Sequence, residues 1–209
     1  MSSLAVVVDY GWGNLQSVVQ AASTAAPPGV QVLRSSAPED VSRADRLIVP
    51  GQGAFRDTSL NLHGTALGES ILERMRAGTP YFGICMGLQI LFEGSEESPG
   101  SPGFGWFKGS VQKLLGGGSI KIPHMGWNDV SPAPHGRDGA ALIEPGEAYF
   151  LHSYHFRPEQ GRDIAAMTDH GGGLVAAVAR DNVLGVQFHP EKSQAYGIAL
   201  LERFLEWNP

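Results

Sequence analysis

The sequence predicts an α/β fold: a mixed, mainly parallel central sheet flanked by helices, with an antiparallel section in the C-terminal half. In the first half, short β-branched runs alternate with segments of helical periodicity, as parallel strands joined by crossover helices do. In the second half, strand-like runs follow one another across short turns, which favours antiparallel pairing. The length of 209 residues suits one large domain, and we expect residues 1–209 to form it.

The first half contains the predicted parallel elements. Strands are expected at residues 4–9, 30–33, 46–49 and 81–84, and helical segments at 15–26, 38–41, 67–75 and 86–92. Asn14 directly precedes the first helix and is expected to cap it. Gly78 follows the third helical segment and is expected to end it.

The second half is predicted to hold five strands and a final helix. The strands are expected at residues 111–114, 148–154, 164–168, 174–179 and 183–188, and the helix at about 194–207. Asp181-Asn182 has the composition of a hairpin turn between the last two strands. The polar stretch 94–105, rich in Gly, Pro and Ser, is predicted to be a loop.

Composition and charge exclude several classes of partner. Lys and Arg number 15 against 21 Asp and Glu, a formal net charge of −6 without a basic cluster, so we expect no nucleic acid and no anionic membrane. The longest apolar run is too short to span a membrane, and the N-terminus lacks the features of a secretory signal. A single cysteine suits a reducing compartment, and we expect a cytoplasmic protein.

The seven histidines form no recognised metal motif. There is no His-Glu-x-x-His pattern and no paired cysteine, and the glycine runs lack the lysine of a phosphate loop. We therefore expect no metal and no cofactor.

Residues 83–87, with the sequence GICMG, have the form of a nucleophile elbow. They follow a predicted strand and precede a predicted helix, and the flanking glycines leave room for a sharp turn that exposes the central side chain. A thiol at a helix N-terminus experiences the positive end of the helix dipole, which favours the reactive thiolate. A lone cysteine is more often a buried core residue, but this context makes Cys85 the candidate nucleophile.

A candidate base and its orienting group stand near the other end of the chain. His189 ends an apolar strand in the sequence FHPE, and Glu191 follows two residues later. A cysteine nucleophile needs a base, and the base needs a group that fixes its tautomer and orientation. Cys85, His189 and Glu191 supply these three chemical types.

These motifs resemble those of the class I, or triad, glutamine amidotransferases. The resemblance implies a flavodoxin-like fold and a single type 1 amidotransferase domain over residues 1–209. Both G-x-C-x-G and the distant F-H-P-E are present unaltered, and PGQG is similar to the oxyanion strand P-G-x-G. The resemblance implies an oxyanion site formed by backbone N–H groups at Gly51, Gln52, Gly53 and Met86. Gln52 departs from the family pattern, in which we expect an apolar residue.

Further segments resemble the glutaminase subunits of imidazole glycerol phosphate synthases. They are IPHMGWN at residues 122–128, YFLHSY at 149–154, DYGWGNL at 9–15 and SEE at 95–97. The resemblance runs from about residue 4 to residue 204. It implies that the chain hydrolyses L-glutamine through a thioester on Cys85 and passes ammonia to a (β/α)8 cyclase subunit in a heterodimer.

The same resemblance assigns residues to the substrate and to the partner. The residues implied to hold the amino and carboxylate ends of glutamine are Gln89, Glu97, Ser153 and Tyr154. Asn14 and Trp127 lie in matched motifs and are implied to face the cyclase subunit.

Two other function classes stay open at this point. One is an amidotransferase subunit of another pathway, of the anthranilate or aminodeoxychorismate type, which the sequence PHMGWN disfavours. The other is a stand-alone cysteine hydrolase of the same fold, which the combination of C-x-G-x-Q with P-G-x-G disfavours. Glutaminase activity with and without a cyclase subunit separates the three classes.

Overall fold

The computed structural model describes residues 3–117, 120–134 and 138–209, and all bounds below refer to them. The strands are β1 Ser3–Val8, β2 Val30–Ser35, β3 Arg46–Val49, β4 Tyr81–Ile84, β5 Gly109–Lys113, β6 His124–Pro132, β7 Gly146–His152, β8 Tyr154–Pro158, β9 Ile164–Asp169, β10 Gly173–Arg180 and β11 Val183–Val186. The helices are α1 Leu15–Ala25, α2 Pro38–Arg43, α3 Phe55–Leu62, α4 Ala66–Arg76, α5 Met86–Gln89 and α6 Gln194–Glu206.

A mixed sheet organises the part of the chain that the structure describes. Its strand order is β2-β1-β3-β4-β11-β10-β9-β6-β7, and β5 and β8 pair separately as an antiparallel ribbon. The first five strands of this order run parallel to one another. From β11 onward, neighbouring strands are antiparallel. The predicted mixed α/β fold with an antiparallel C-terminal section is confirmed.

The parallel strands are apolar because helices cover both of their faces. All four residues of β4 and of β11 are buried, as expected where a sheet has no solvated side. One face packs against α1 and α6 through a core that includes Val18 and Phe204. The opposite face packs against α2, α3 and α4 through a core that includes Phe55 and Ile71.

A predicted helix end and a predicted turn agree with the structure. Gly78 has a φ of +88°, and its N–H donates to the Met75 carbonyl while the Thr79 N–H donates to the Arg74 carbonyl, which closes α4 as predicted. Asp181 has a φ of +51° in the turn between β10 and β11. No helix in the three described stretches is long and apolar enough to cross a membrane.

The helix after Cys85 is shorter than predicted. It ends at Gln89 instead of residue 92. The carbonyl groups of Ile90, Leu91 and Phe92 accept hydrogen bonds from backbone N–H groups of the loop segment 104–107, so they are directed away from helical partners. The loop that follows the elbow therefore replaces the second half of the predicted helix.

The predicted strand 148–154 is divided in the structure. β7 pairs with β6 up to His152, and β8 leaves this sheet to pair with β5. The chain changes partner at Ser153, which separates the two strands. This bend places Ser153 and Tyr154 at the site described below.

The sequence prediction missed α3 and β6 and was wrong about the cap of α1. In α3 the buried residues include Thr58 and Ser59, so the apolar periodicity is hidden by polar side chains. In β6 exposed and half-buried residues separate the buried His124 and Val130, which weakens the pattern of a strand. Asn14 does precede α1, but its side chain makes no capping hydrogen bond.

Candidate active site

Cys85 lies in a strained turn at the carboxyl end of β4. Its φ and ψ are +52° and −103°, a region that non-glycine residues rarely occupy. The flanking glycines are required sterically, because a Cβ at Gly83 or Gly87 would overlap backbone atoms of the elbow or of β3. The GICMG sequence therefore folds as the sharp strand–turn–helix that the motif predicts.

We expect Gly87→Ala to destabilise the protein strongly. An added Cβ would overlap the backbone carbonyl oxygen of Val49, which cannot move without disturbing β3. The expected loss in the free energy of unfolding is about 3 kcal/mol or more, measured by denaturant unfolding. Gly161→Ala is the matched control, because a Cβ there meets open space, and it should stay within about 0.5 kcal/mol of wild type. Equal stability of the two variants would contradict this reading of the elbow.

His189 and Glu191 form a buried pair beside the elbow. His189 Nδ1 lies 2.8 Å from Glu191 Oε1, and both side chains are 2% exposed. Burial lowers the pKa of His189, but hydrogen bonds with Cys85 and Glu191 and the negative charges of both outweigh it and raise this pKa to about 10. The imidazolium is therefore the favoured form at neutral pH, with a sulfur on one side and a carboxylate on the other.

The PGQG segment passes directly over the elbow. Gly51 is buried, and a Cβ there would overlap the Tyr10 hydroxyl and crowd Met86. Gly53 has a φ of +96°, which favours glycine at this position. The structure thus brings residues 51–53 and the first residue of α5 to the same edge of the site as Cys85.

A cavity of about 340 Å³ lies in front of Cys85 and His189. Its wall contains most of the residues that the sequence analysis assigned to the oxyanion and to the substrate. These are Gln52, Gly53, Met86, Gln89, Glu97, Ser153 and Tyr154. Pro123, Leu151 and His152 complete the wall, and none of these three was predicted.

The chain matches known proteins over nearly its whole length. The family model for glutamine amidotransferase class-I matches residues 6–207. The protein named imidazole glycerol phosphate synthase subunit HisH of Zymomonas mobilis subsp. mobilis is 44% identical, over 100% of this chain and 98% of that protein. The protein of the same name from Cereibacter sphaeroides is 43% identical, over 99% and 100% of the two chains. The chain belongs to the class-I glutamine amidotransferases.

The fold of this amidotransferase is also present in solved structures of low identity. The structure described as PurLQS from Thermotoga maritima aligns with a TM-score of 0.75 at 18% identity, over 99% of this chain and 98% of that one. At this identity the likeness concerns the fold alone. The predicted membership of the amidotransferase class, and with it the prediction of an enzyme, is confirmed by the family match.

Gln187 is a residue of the amidotransferase site that the sequence analysis missed. It is fully buried directly after β11, where its Nε2 lies 3.5 Å from Cys85 Sγ and its Oε1 accepts from Gln89 Nε2 at 3.0 Å. Gln89 Nε2 also donates to the Tyr154 carbonyl at 3.3 Å. The available signal was a polar residue inside the apolar run predicted as the strand 183–188, two positions before His189.

Glu97 of the amidotransferase joins the cavity to a helix. Its Oε2 accepts a hydrogen bond of 2.8 Å from the Phe55 N–H at the start of α3. The carboxylate therefore stabilises the N-terminus of α3 while it also lines the cavity wall. No sequence pattern indicated the first of these contacts, because α3 itself was not predicted.

The two residues expected at the partner surface lie away from the cavity wall of the amidotransferase. Trp127 is 47% exposed on β6, next to the exposed Met125. Asn14 is half-buried at the start of α1, in the same loop as the exposed Trp12. Gly51 and Glu191, by contrast, support the site from behind its wall. Within the described residues no His, Cys, Asp or Glu cluster is arranged to hold a metal ion.

Proposed function

We propose that this chain is the glutaminase subunit of an imidazole glycerol phosphate synthase, acting as one amidotransferase domain over residues 1–209. It hydrolyses L-glutamine to glutamate and ammonia with Cys85, His189 and Glu191 as its triad. The observation that carries the proposal is the strained Cys85 beside the buried His189–Glu191 pair, with Cys85 and His189 lining one cavity. The full-length similarity to proteins named HisH supports the choice of synthase.

The reaction begins with the thiolate and imidazolium. Cys85 Sγ attacks the side-chain amide carbon of glutamine, and the carbonyl oxygen becomes an oxyanion held by backbone N–H groups at residues 51–53 and at Met86. His189 gives its proton to the amide nitrogen, the carbon–nitrogen bond breaks, and ammonia leaves a γ-glutamyl thioester. Glu191 holds the imidazole in the orientation that this transfer needs.

Hydrolysis of the thioester restores the site. His189, now neutral, takes a proton from water as the water oxygen attacks the thioester carbon. The carbon–sulfur bond breaks, glutamate is released, and Cys85 returns to the thiolate form beside the imidazolium. One water is consumed, and one ammonia and one glutamate are formed.

Four residues of the cavity wall are proposed to hold the two charged ends of glutamine: Gln89, Glu97, Ser153 and Tyr154. Gln89 uses its amide N–H groups on Gln187 and Tyr154, so its Oε1 is the atom directed to a donor such as the substrate ammonium. Glu97 has one oxygen engaged by α3 and a second available for the same ammonium.

The proposed partner is a (β/α)8 cyclase subunit. It takes the ammonia into an open ribulosyl phosphoribosyl nucleotide precursor, giving imidazole glycerol phosphate and an aminoimidazole carboxamide nucleotide. Asn14 and Trp127 are proposed to face this subunit, and the exposed Trp127 and Met125 offer the apolar area that an interface centre uses. A nucleophilic thiol must stay reduced, which supports a cytoplasmic location.

A glutamate-release assay tests the proposed function against its two alternatives. The chain alone, the chain with a cyclase subunit, and that complex with the nucleotide precursor are compared. We expect rapid glutamate release only in the complex, where it is coupled to formation of imidazole glycerol phosphate. The isolated chain should release glutamate much more slowly. Full activity of the isolated chain on γ-glutamyl peptides would favour a stand-alone hydrolase, and coupling to chorismate would favour a sister pathway.

Replacing Glu191 with glutamine tests the orienting role. The side chain keeps its shape but loses its charge, so we expect glutamine turnover to fall by about 10²- to 10⁴-fold. The negative charge of Glu191 helps to raise the pKa of His189 to about 10. Its loss lowers that pKa, so the alkaline fall in kcat should move to lower pH, as a pH–rate profile of the complex would record.

Glu202→Gln is the matched control for this charge change, because Glu202 is exposed on α6. It should leave both the rate and the pH profile as in wild type. A Glu191→Gln variant with the wild-type rate and an unmoved alkaline limb would show that Glu191 is structural.

A further inference from the structure

A line of hydrogen-bonded side chains leads from His152 in the cavity wall to His124, and the proposed mechanism uses neither histidine. His124 and His152 are opposite each other in the register of β6 and β7. His152 Nδ1 lies 2.8 Å from the Tyr154 carbonyl oxygen, and His152 Nε2 lies 3.0 Å from His124 Nδ1. His124 Nε2 lies 3.0 Å from Asn128 Nδ2.

The chemistry of the end groups gives this line one direction. A carbonyl oxygen only accepts, so His152 must carry its proton on Nδ1, and its Nε2 is then an acceptor. His124 must therefore donate from Nδ1 and accept at Nε2. The donor to that nitrogen is the amide of Asn128, whose orientation is fixed because its Oδ1 accepts from the Asp129 N–H.

Both histidines are suited to hold fixed tautomers and not to exchange protons. Burial lowers the pKa of His152 to about 3, with smaller effects from its neighbours. Burial and the nearby His170 lower the pKa of His124 to about 4. Both imidazoles are therefore neutral at neutral pH, where each has one N–H and one acceptor nitrogen.

The Tyr154 carbonyl joins His152 to Gln89, a residue proposed to bind glutamine. It accepts from His152 on one side and from Gln89 Nε2 on the other, at 3.3 Å. Ser153 lies between the two bonded residues, at the point where the chain passes from β7 to β8. The hydrogen bond from His152 to the Tyr154 carbonyl thus spans the bend that brings Ser153 and Tyr154 to the cavity.

We propose that His152, held in its Nδ1–H tautomer by His124, is a positioning residue for glutamine binding. It fixes the bend at Ser153-Tyr154 and, through the shared carbonyl, the orientation of the Gln89 amide. The inference rests on the proposed glutaminase function. It adds to that function a residue that acts through Tyr154 and Gln89. Because the contact is made before and during the reaction, its loss weakens substrate binding more than turnover.

Three substitutions separate this role from simple packing. His152→Asn can place an amide N–H near the position of Nδ1, whereas His152→Gln places it near Nε2, and His152→Leu supplies no donor. We expect the Gln and Leu variants to raise KM for glutamine by about tenfold while kcat changes by less than about threefold. The Asn variant should stay within about threefold of the wild-type KM. Equal effects of all three variants, or an effect on kcat alone, would overturn the proposal.

His124 is expected to act through His152. His124→Leu alone should raise KM by a factor similar to that of His152→Leu, and the double variant should be little worse than either single one. Multiplicative effects would mean that the two histidines act independently, which contradicts the line of hydrogen bonds.

The tautomers provide a readout that needs no activity. In ¹⁵N-histidine NMR of the full chain at neutral pH, assigned by loss of signals in the single variants, both residues should be protonated on Nδ1 and bare on Nε2. A His152 protonated on Nε2 overturns the proposal.

Glutamine affinity can be measured by calorimetry on the Cys85→Ala complex, with and without His152→Leu. The added His152→Leu change should lower this affinity about tenfold. If the wild-type complex released no glutamate, the proposed function would fail while the tautomer result stood separately.

Discussion

Replacing Cys85 with alanine is expected to abolish glutamine-dependent synthesis by the complex and to leave ammonia-dependent synthesis intact. Without the sulfur no thioester forms, and loss of a triad nucleophile lowers turnover by about 10⁴-fold or more. Ammonium salts supply the second substrate directly, so the cyclase reaction no longer needs the amidotransferase site. The measurement is imidazole glycerol phosphate formation with glutamine or with ammonium as the nitrogen source.

A covalent label gives this experiment its control. Cys85 is the single cysteine of the chain, so an electrophilic glutamine analogue should add one label to wild type, located on Cys85 by mass spectrometry. The Cys85→Ala complex should take up none. Glutamate release by that variant at the wild-type rate, or labelling at another residue, would remove Cys85 from the mechanism.

The second large effect is expected from the partner. The isolated chain should hydrolyse glutamine about 10²- to 10³-fold more slowly than the complex with bound nucleotide, the range associated with one oxyanion donor. A peptide rotation in the PGQG segment can present or withhold such a donor, and a silent free subunit would not waste glutamine. The partner must then bind the active loop state more tightly by a comparable differential free energy.

The contacts of this loop indicate where the partner could act. A Cβ added at Gly53 would lie 3.6 Å from the Trp12 ring, and one added at Gly13 would lie 3.6 Å from Gly51 Cα, so the segment before α1 lies beside the PGQG segment. Asn14 belongs to that same segment. A partner contact on this segment would therefore be made next to the oxyanion loop.

Glutamate release is compared for the isolated chain, the complex, and the complex with a nucleotide ligand. Gln52→Val should change the basal rate more than the liganded rate, because only the resting preference of the loop differs. An isolated chain that matched the liganded complex would end the gating hypothesis and leave the triad untouched.

The fold was predictable where burial makes the sequence pattern simple. The parallel strands are apolar throughout because both faces are covered, and the elbow is bounded by glycines that sterics require. In β6 and α3 this signal is lost, since buried histidine, threonine and serine replace the expected apolar residues. Tertiary hydrogen bonds, which have no local pattern, stabilise two of those side chains, because Ser59 donates to the Pro102 carbonyl and His124 pairs with His152.

The candidate site was likewise predictable only where a short local motif marks its residues. Cys85, His189 and Glu191 lie in short motifs whose spacing carries their chemistry, whereas Gln187 is an isolated polar residue whose partner Gln89 is far away in sequence. The pairing of His124 with His152 depends on the register of β6 and β7, and β6 itself had not been predicted. Motifs therefore indicated the candidate reacting groups, and only the fold indicated the residues that hold them in place.

The backbone of the elbow sets activity against stability at one residue. Cys85 occupies a conformation in which a side chain is unfavourable by about 1–3 kcal/mol, and its neighbours hold it there. Glycine would relax that turn at no steric cost but would remove the nucleophile. We therefore expect Cys85→Gly to raise the free energy of unfolding while it removes the proposed activity, so at this residue stability is given up for chemistry.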